Sequence, residues 1–125
     1  QFVVIGPGAD NGKELEAINL TVTGKKPTEK YLGTLDRIER EFFPLFQKTF
    51  PKQEMKVEKV DSVMAFPTEQ EFADYYWSTL LWRESTEGRS AFEIEEMKKA
   101  TLKAVAGRSP VNIKKQLSCL TARLT

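Results

Sequence analysis

Phe2-Val3-Val4-Ile5-Gly6-Pro7-Gly8-Ala9-Asp10-Asn11 is the stretch on which the reading of this chain turns. Phe2 to Ile5 is a continuous apolar run rich in β-branched residues, the pattern of a strand covered on both faces in a parallel or mixed sheet. Gly6-Pro7-Gly8 ends it, and Asp10-Asn11-Gly12 opens a helix-like stretch. A buried-type strand at residue 2, with no initiator Met and no polar approach, leads us to expect the second half of a larger α/β domain. The chain would then enter that domain just before one of its central strands.

Working outward, Asn11 to Leu20 reads as a helix, because Asn11 and Glu14 have the spacing of a capping box. Thr21 to Lys30 is a polar loop. Thr34 to Thr49 carries Leu35, Ile38, Phe42, Leu45 and Phe46 at helical spacing. Pro44 lies inside that pattern and predicts a kink or two short helices. Glu54 to Phe66 reads as a long strand whose apolar phase shifts midway, which predicts a bulge near Lys59 to Asp61. Thr68 with Glu71, and Ser90 with Glu93, are two further capping boxes. They open helices through Phe72–Leu80 and Ile94–Val105, with Gly107 as a stop. Val111 to Leu120 is the last strand, with Val111, Ile113, Leu117 and Cys119 on one face. Strands thus alternate with four to five helices, a mixed α/β arrangement.

The composition narrows the function classes. A chain of 125 residues with 40% apolar content predicts one domain spanning 1–125, with a real core. Lys+Arg 19 against Asp+Glu 18 leaves a net charge of +1, which does not support a nucleic-acid partner. No apolar run approaches the roughly 20 residues needed to cross a bilayer, so no membrane partner is expected. One Cys and no secretory leader point to a reducing cytoplasm. There is no His, which removes Ser-His and Cys-His catalysis and the commonest transition-metal ligand. No spacing suggests a metal site.

Two stretches could carry chemistry. Gly6-Pro7-Gly8-Ala9-Asp10-Asn11 joins a strand end to a helix start, and ligands of open α/β sheets bind beyond the carboxyl ends of strands. The plainer reading is a tight turn with Asn11 as a cap. Phe72 to Arg83 holds Tyr75, Tyr76, Trp77 and Trp82 over more than one helical face, which suits a substrate pocket, an interface or a doubly covered core helix. Arg83 could clamp a carboxylate or phosphate, or pair at the surface with Glu84 or Glu87. Asp36, Glu39, Arg40 and Glu41 read as a solvated helix face, and Cys119 as a small buried hydrophobe.

On these residues the chain resembles the C-terminal half of a class I S-adenosylmethionine-dependent methyltransferase of the small-molecule or sugar-modifying type. The likeness rests on Phe2–Ile5 with its Gly6–Asn11 loop, on the two long strands Met55 to Phe66 and Val111 to Leu120, and between them on Phe66-Pro67-Thr68-Glu69-Gln70-Glu71-Phe72-Ala73-Asp74-Tyr75-Tyr76. It implies a partial Rossmann-like sheet of three strands, about 2–6, 54–66 and 111–120, in mixed orientation with the last between the other two. It implies substrate-binding roles for Asp10, Asn11, Tyr75, Tyr76, Trp82 and Arg83, and a weak cofactor-side role for Gly6, Pro7 and Gly8. S-adenosylmethionine would be the cofactor of the full-length parent, not of this chain alone, because the family's first glycine-rich loop and second-strand acidic residue are not in this sequence. A small-molecule acceptor would be the parent's partner. The alternative is a non-catalytic binding or oligomerisation module with a truncated fold of that kind. On either reading the apolar strand 2–6 predicts a homo-oligomer through its bare edge.

Overall fold

The computed structural model describes residues 1–123. Three strands form its sheet: β1 (Phe2–Pro7), β2 (Glu54–Phe66) and β3 (Val111–Arg123), in the order β1-β3-β2. The last strand does lie between the other two. The expected mixed orientation is corrected, because β3 pairs antiparallel with both neighbours. β1 and β2 run in the same direction but are not neighbours in the sheet, so every hydrogen-bonded pair is antiparallel.

The sheet changes its covered face along its length. At one end Phe2, Val4, Val57, Leu120 and Ala122 share a face, and a π-helical turn (Ile38–Phe42) followed by α3 (Phe43–Thr49) lies over it. Ile38 is buried there, and the Phe2 and Phe46 rings meet edge to face at 5.5 Å. At the other end the opposite face is buried: Val111, Ile113 and Phe66 pack into a core with Leu15, Phe72, Tyr76, Leu81, Trp82, Met97 and Val105. This explains the phase shift in β2 without a bulge. The register between β2 and β3 is unbroken from Glu54↔Arg123 to Phe66↔Val111. Odd-numbered residues of β2 face one cover and even-numbered residues face the other, so the apolar positions switch parity where the cover changes sides.

The helices that build the second cover are α1 (Lys13–Thr23), α4 (Glu69–Trp77), α5 (Leu80–Thr86) and α6 (Ala91–Ala104), with a short α2 (Glu29–Leu32) between α1 and the π-turn. The capping boxes at Thr68–Glu71 and Ser90–Glu93 both form, each satisfying two backbone donors that the helix itself leaves open. The third does not. Gly12, in the left-handed region at φ 72, is the cap of α1, and no side chain caps it. The helical stretch 72–83 divides at Thr79, whose hydroxyl accepts the N–H of Trp82 to start α5. Pro44 does not divide the apolar pattern of 34–49: the π-turn runs directly into α3 through helical Phe42 and Phe43, and the wider π-turn stands just before the proline, where an ordinary helix would lose a hydrogen bond.

Candidate functional site

At the carboxyl end of β1 the chain turns through Gly8 to Gly12 and meets β3 at Gln116. The Gln116 carboxamide is the node. Its Oε1 accepts the N–H of Asp10 at 3.1 Å, and its Nε2 donates to Asp61 Oδ1 at 3.1 Å. The Gln116 backbone N–H donates to Asn11 Oδ1 at 2.9 Å, and the Lys114 N–H donates to Glu14 Oε2 at 3.2 Å. Here β1 has ended, and β3 would present bare donors on that side. Asn11 and Glu14 satisfy them in place of a strand. This corrects the first capping box: the two side chains with the right spacing are held by a distant strand, not by the start of α1.

The glycines of the loop are crowded by the protein's own side chains. A Cβ on Gly8 would stand 2.5 Å from Gln116 Oε1 and 2.8 Å from its Cγ, and one on Gly6 would stand 3.3 Å from Ile38 Cγ1. The Pro7 carbonyl accepts the Asp36 N–H at 2.9 Å. The close approach that Gly8 permits is therefore filled by Gln116, whereas Gly6 and Pro7 line a recess of about 250 Å³ with Ile5, Thr34, Arg37, Ile38 and Phe42.

Beside this loop stand two tyrosines and a lysine. Lys115 Nζ donates to the Tyr75 hydroxyl at 3.3 Å and lies 5.8 Å from the centre of its ring. Tyr31 reaches over Gly12, and burial, with the Glu16 carboxylate and Tyr75 nearby, raises its phenol above the ordinary value. It stays protonated at neutral pH and remains a donor. Lys13 pairs with Glu16 at 3.2 Å. A recess of about 310 Å³ opens here, lined by Asp10, Asp61, Ser62, Val63, Lys114, Lys115 and Gln116. Asp10 and Tyr75 are thus brought to one end of the sheet through Lys115 and Gln116. A larger groove of about 830 Å³ runs between α1, the end of α6 and the start of β3, past Glu14, Ile18, Ala104, Arg108 and Val111.

The other residues named from sequence lie elsewhere. Tyr76 is fully buried, its hydroxyl donates to Asn19 Oδ1 at 2.6 Å, and Asn19 Nδ2 donates to Ser85 Oγ at 2.9 Å. Trp82 is buried against Tyr76 at 5.3 Å. Both are core residues facing no cleft, so the wide aromatic surface of 72–83 reflects a helix pair enclosed on several sides. Arg83 is exposed and forms no ion pair among the described residues.

One cluster escaped the sequence reading. Asp36, at φ 59, and Glu39 do not lie on a solvated face. Asp36 Oδ1 and Glu39 Oε2 are buried without a donor, and Ser118 Oγ donates to Glu39 Oε1 at 2.5 Å. The hydrogen bond to Glu39, then burial and the Glu39 charge, raise the Asp36 carboxyl above its ordinary value, against the pull of Lys59 and Arg40. Burial alone would raise Glu39 too, but hydrogen bonds from Asp36 and Ser118 outweigh it and lower that carboxyl. Of the two carboxyls, Asp36 is thus the one that binds a proton more tightly. The only sequence signal was the i, i+3 spacing of two acids, which a solvent-facing helix shares.

No group of His, Cys, Asp and Glu among the described residues has metal-site geometry, and no helix among them is long and apolar enough to cross a membrane. No family model matches the chain, and neither the curated proteins nor the solved structures yield a match.

Proposed function

We propose that the chain is the acceptor-side portion of an S-adenosylmethionine-dependent methyltransferase domain acting on a small molecule, and that it is inactive alone. One observation carries this reading. The strand order is β1-β3-β2, with the last strand inserted antiparallel to both neighbours and a strand–turn–helix unit at the carboxyl end of β1. That is the order the family resemblance implies for the end of such a domain. The recess beside Asp10 lies where ligands of open α/β sheets bind.

The chain's own contribution on this reading is to seat the acceptor. Lys115, held from behind by the Tyr75 hydroxyl, offers a donor, Asp10 and Asp61 offer acceptors, and Gln116 locks the loop to the sheet. Gly8 is closed by Gln116, and on this reading the cofactor's main seat belongs to the parent. Methyl transfer in the parent would rest on positioning and exclusion of water.

The closure of Gly8 by Gln116 favours a second reading, a non-catalytic binding module. The coding sequence upstream separates the two. A glycine-rich strand–loop–helix there, in a longer product that binds S-adenosylmethionine by calorimetry, is the outcome the first reading expects. A stop codon, or a longer product that takes up no cofactor, overturns it in favour of the second.

A further inference from the structure

We propose that the groove of about 830 Å³ between α1, the end of α6 and the start of β3 binds a short peptide with free termini. The peptide lies antiparallel to β3, in the lane that β1 leaves at Gly8. The Gln116 carbonyl accepts the Gly8 N–H, the Gln116 N–H goes to Asn11 Oδ1, and the Lys114 N–H goes to Glu14 Oε2. Even-numbered residues of β3 therefore turn their backbone groups toward this lane, and with the register to β2 unbroken Asn112 is the next of them. Its N–H and C=O meet no partner among the described residues, and neither does the Lys114 carbonyl.

Charge at the two ends fixes the occupant's length and direction. Glu14 closes the lane at the Lys114 N–H, so an added strand cannot run on toward Gln116. Arg108, just before β3 begins, lines the groove at its other end and forms no ion pair among the described residues. One rung remains between them, the donor and acceptor of Asn112, which a single peptide residue matches with its own C=O and N–H. A chain antiparallel to β3 brings its ammonium to Glu14 and the Lys114 carbonyl, and its carboxylate to the Arg108 guanidinium. A parallel chain would set like charges together at both ends. The residues beside the central one point as Val111 and Ile113 do, toward Ile18 and Ala104 on the apolar wall. At roughly 3.4 Å per residue, about three residues fill the span. The wall is already fixed: the Gly107 N–H donates to Glu69 Oε1 at 2.9 Å, and Ser109 Oγ donates to the Pro67 carbonyl at 3.0 Å. Little ordering then opposes binding. The groove is distinct from the recess beside Asp10, and the proposal does not depend on the methyl-transfer reading.

Amide NMR spectra of the nitrogen-labelled chain, titrated with the tripeptide Val-Ala-Val to millimolar concentration, test it. The Asn112 amide should move downfield and saturate. Acetylating the peptide's amino end, or amidating its carboxyl end, should each weaken binding roughly two- to fivefold, as loss of an exposed ion pair does. Glu14→Gln keeps an oxygen for the Lys114 N–H; it should weaken the free peptide by the same factor and leave the acetylated one unchanged. Arg108→Gln should do the same with the amidated peptide, and circular dichroism checks that both variants keep the fold. N-methylation of the central alanine removes the donor to the Asn112 carbonyl and should abolish saturation. An Asn112 amide that does not move overturns the proposal, as does an N-methylated peptide that binds like its parent. Variants that weaken the blocked peptides as much as the free one overturn the direction of the chain.

Discussion

Gly8→Ala tests whether Gln116 is the node that ties the β1 turn to the sheet. The new Cβ would meet Gln116 at Oε1, Cγ and Cδ, at 2.5, 2.8 and 3.0 Å. Because the clash reaches Cγ, moving the tip alone cannot relieve it, and the whole side chain must rotate away. That breaks the bonds to the Asp10 N–H and to Asp61. Two partly exposed hydrogen bonds at about 0.5–1.5 kcal/mol each give a loss of about 1–3 kcal/mol. The backbone of Gly8 does not lie at positive φ, so alanine also stiffens the unfolded chain and returns about 0.4–1 kcal/mol. The net loss is on the order of 1–2 kcal/mol, and Gln116→Ala alone loses a similar amount through the same two bonds. With Gln116 already truncated, the three atoms nearest the methyl at position 8 are gone. The double variant should therefore be no less stable than Gln116→Ala. Urea unfolding followed by Trp fluorescence reads this out. For a slope of about 1–3 kcal/mol per M, the single variants should lower the midpoint by roughly 0.5–1.5 M. Single losses that simply add in the double variant, within about 0.5 kcal/mol, would refute the node.

Further outcomes follow from the same contacts. Tyr76→Phe leaves the fully buried Asn19 Oδ1 without its donor and should cost about 1–3 kcal/mol in urea unfolding; a loss below about 0.5 kcal/mol would show that a water or a shifted Asn19 replaces the phenol. Ser90→Ala removes the cap of α6 and should cost about 1 kcal/mol, with Ser90→Gly costing less. The acid pair makes stability depend on pH in two opposing ways. Asp36 is raised above 3.8, so the stability it adds is complete below that value and is lost as pH climbs through its folded pKa. Glu39 is lowered below 4.5, so its share is present above that value and is lost as pH falls through its folded pKa. Asp36→Asn keeps a donor toward Glu39 at every pH. The urea midpoint of the wild type should fall as pH climbs through the folded pKa of Asp36, that of the variant should lack this fall, and an unchanged fall would show that Asp36 is not the group responsible.

Much of the fold was legible because its signals are local. The caps at Thr68 and Ser90 join residues three apart, and the three strands announce themselves by runs of apolar residues between turn signals. The same local logic failed at Asn11, where an identical spacing serves another purpose, because Gln116 lies 105 positions away and presents a bare N–H. It failed at Glu39 as well, since nothing near it in sequence tells that Ser118 will donate to it from 79 positions away. At the candidate site, Asp10 and Tyr75 were named from sequence, whereas Tyr31, Lys115 and Gln116 became visible only when β3 was laid beside the turn. Tyr76 and Trp82 were misplaced because an aromatic residue is as well suited to a core as to a pocket.

The order of the three strands and of the longer helices was written in the sequence by itself, because hydrogen bonds three or four residues apart and the periods of 2 and 3.6 need no distant partner; the short α2, the π-turn and the separate α5 were not. Only the tertiary structure decided which face of each element is covered, that all strand pairs are antiparallel, and which polar side chains are held by the sheet. Periodicity records that one side of an element is buried. What lies on that side is settled by contacts between residues far apart along the chain, and these form only once the strands have been brought together.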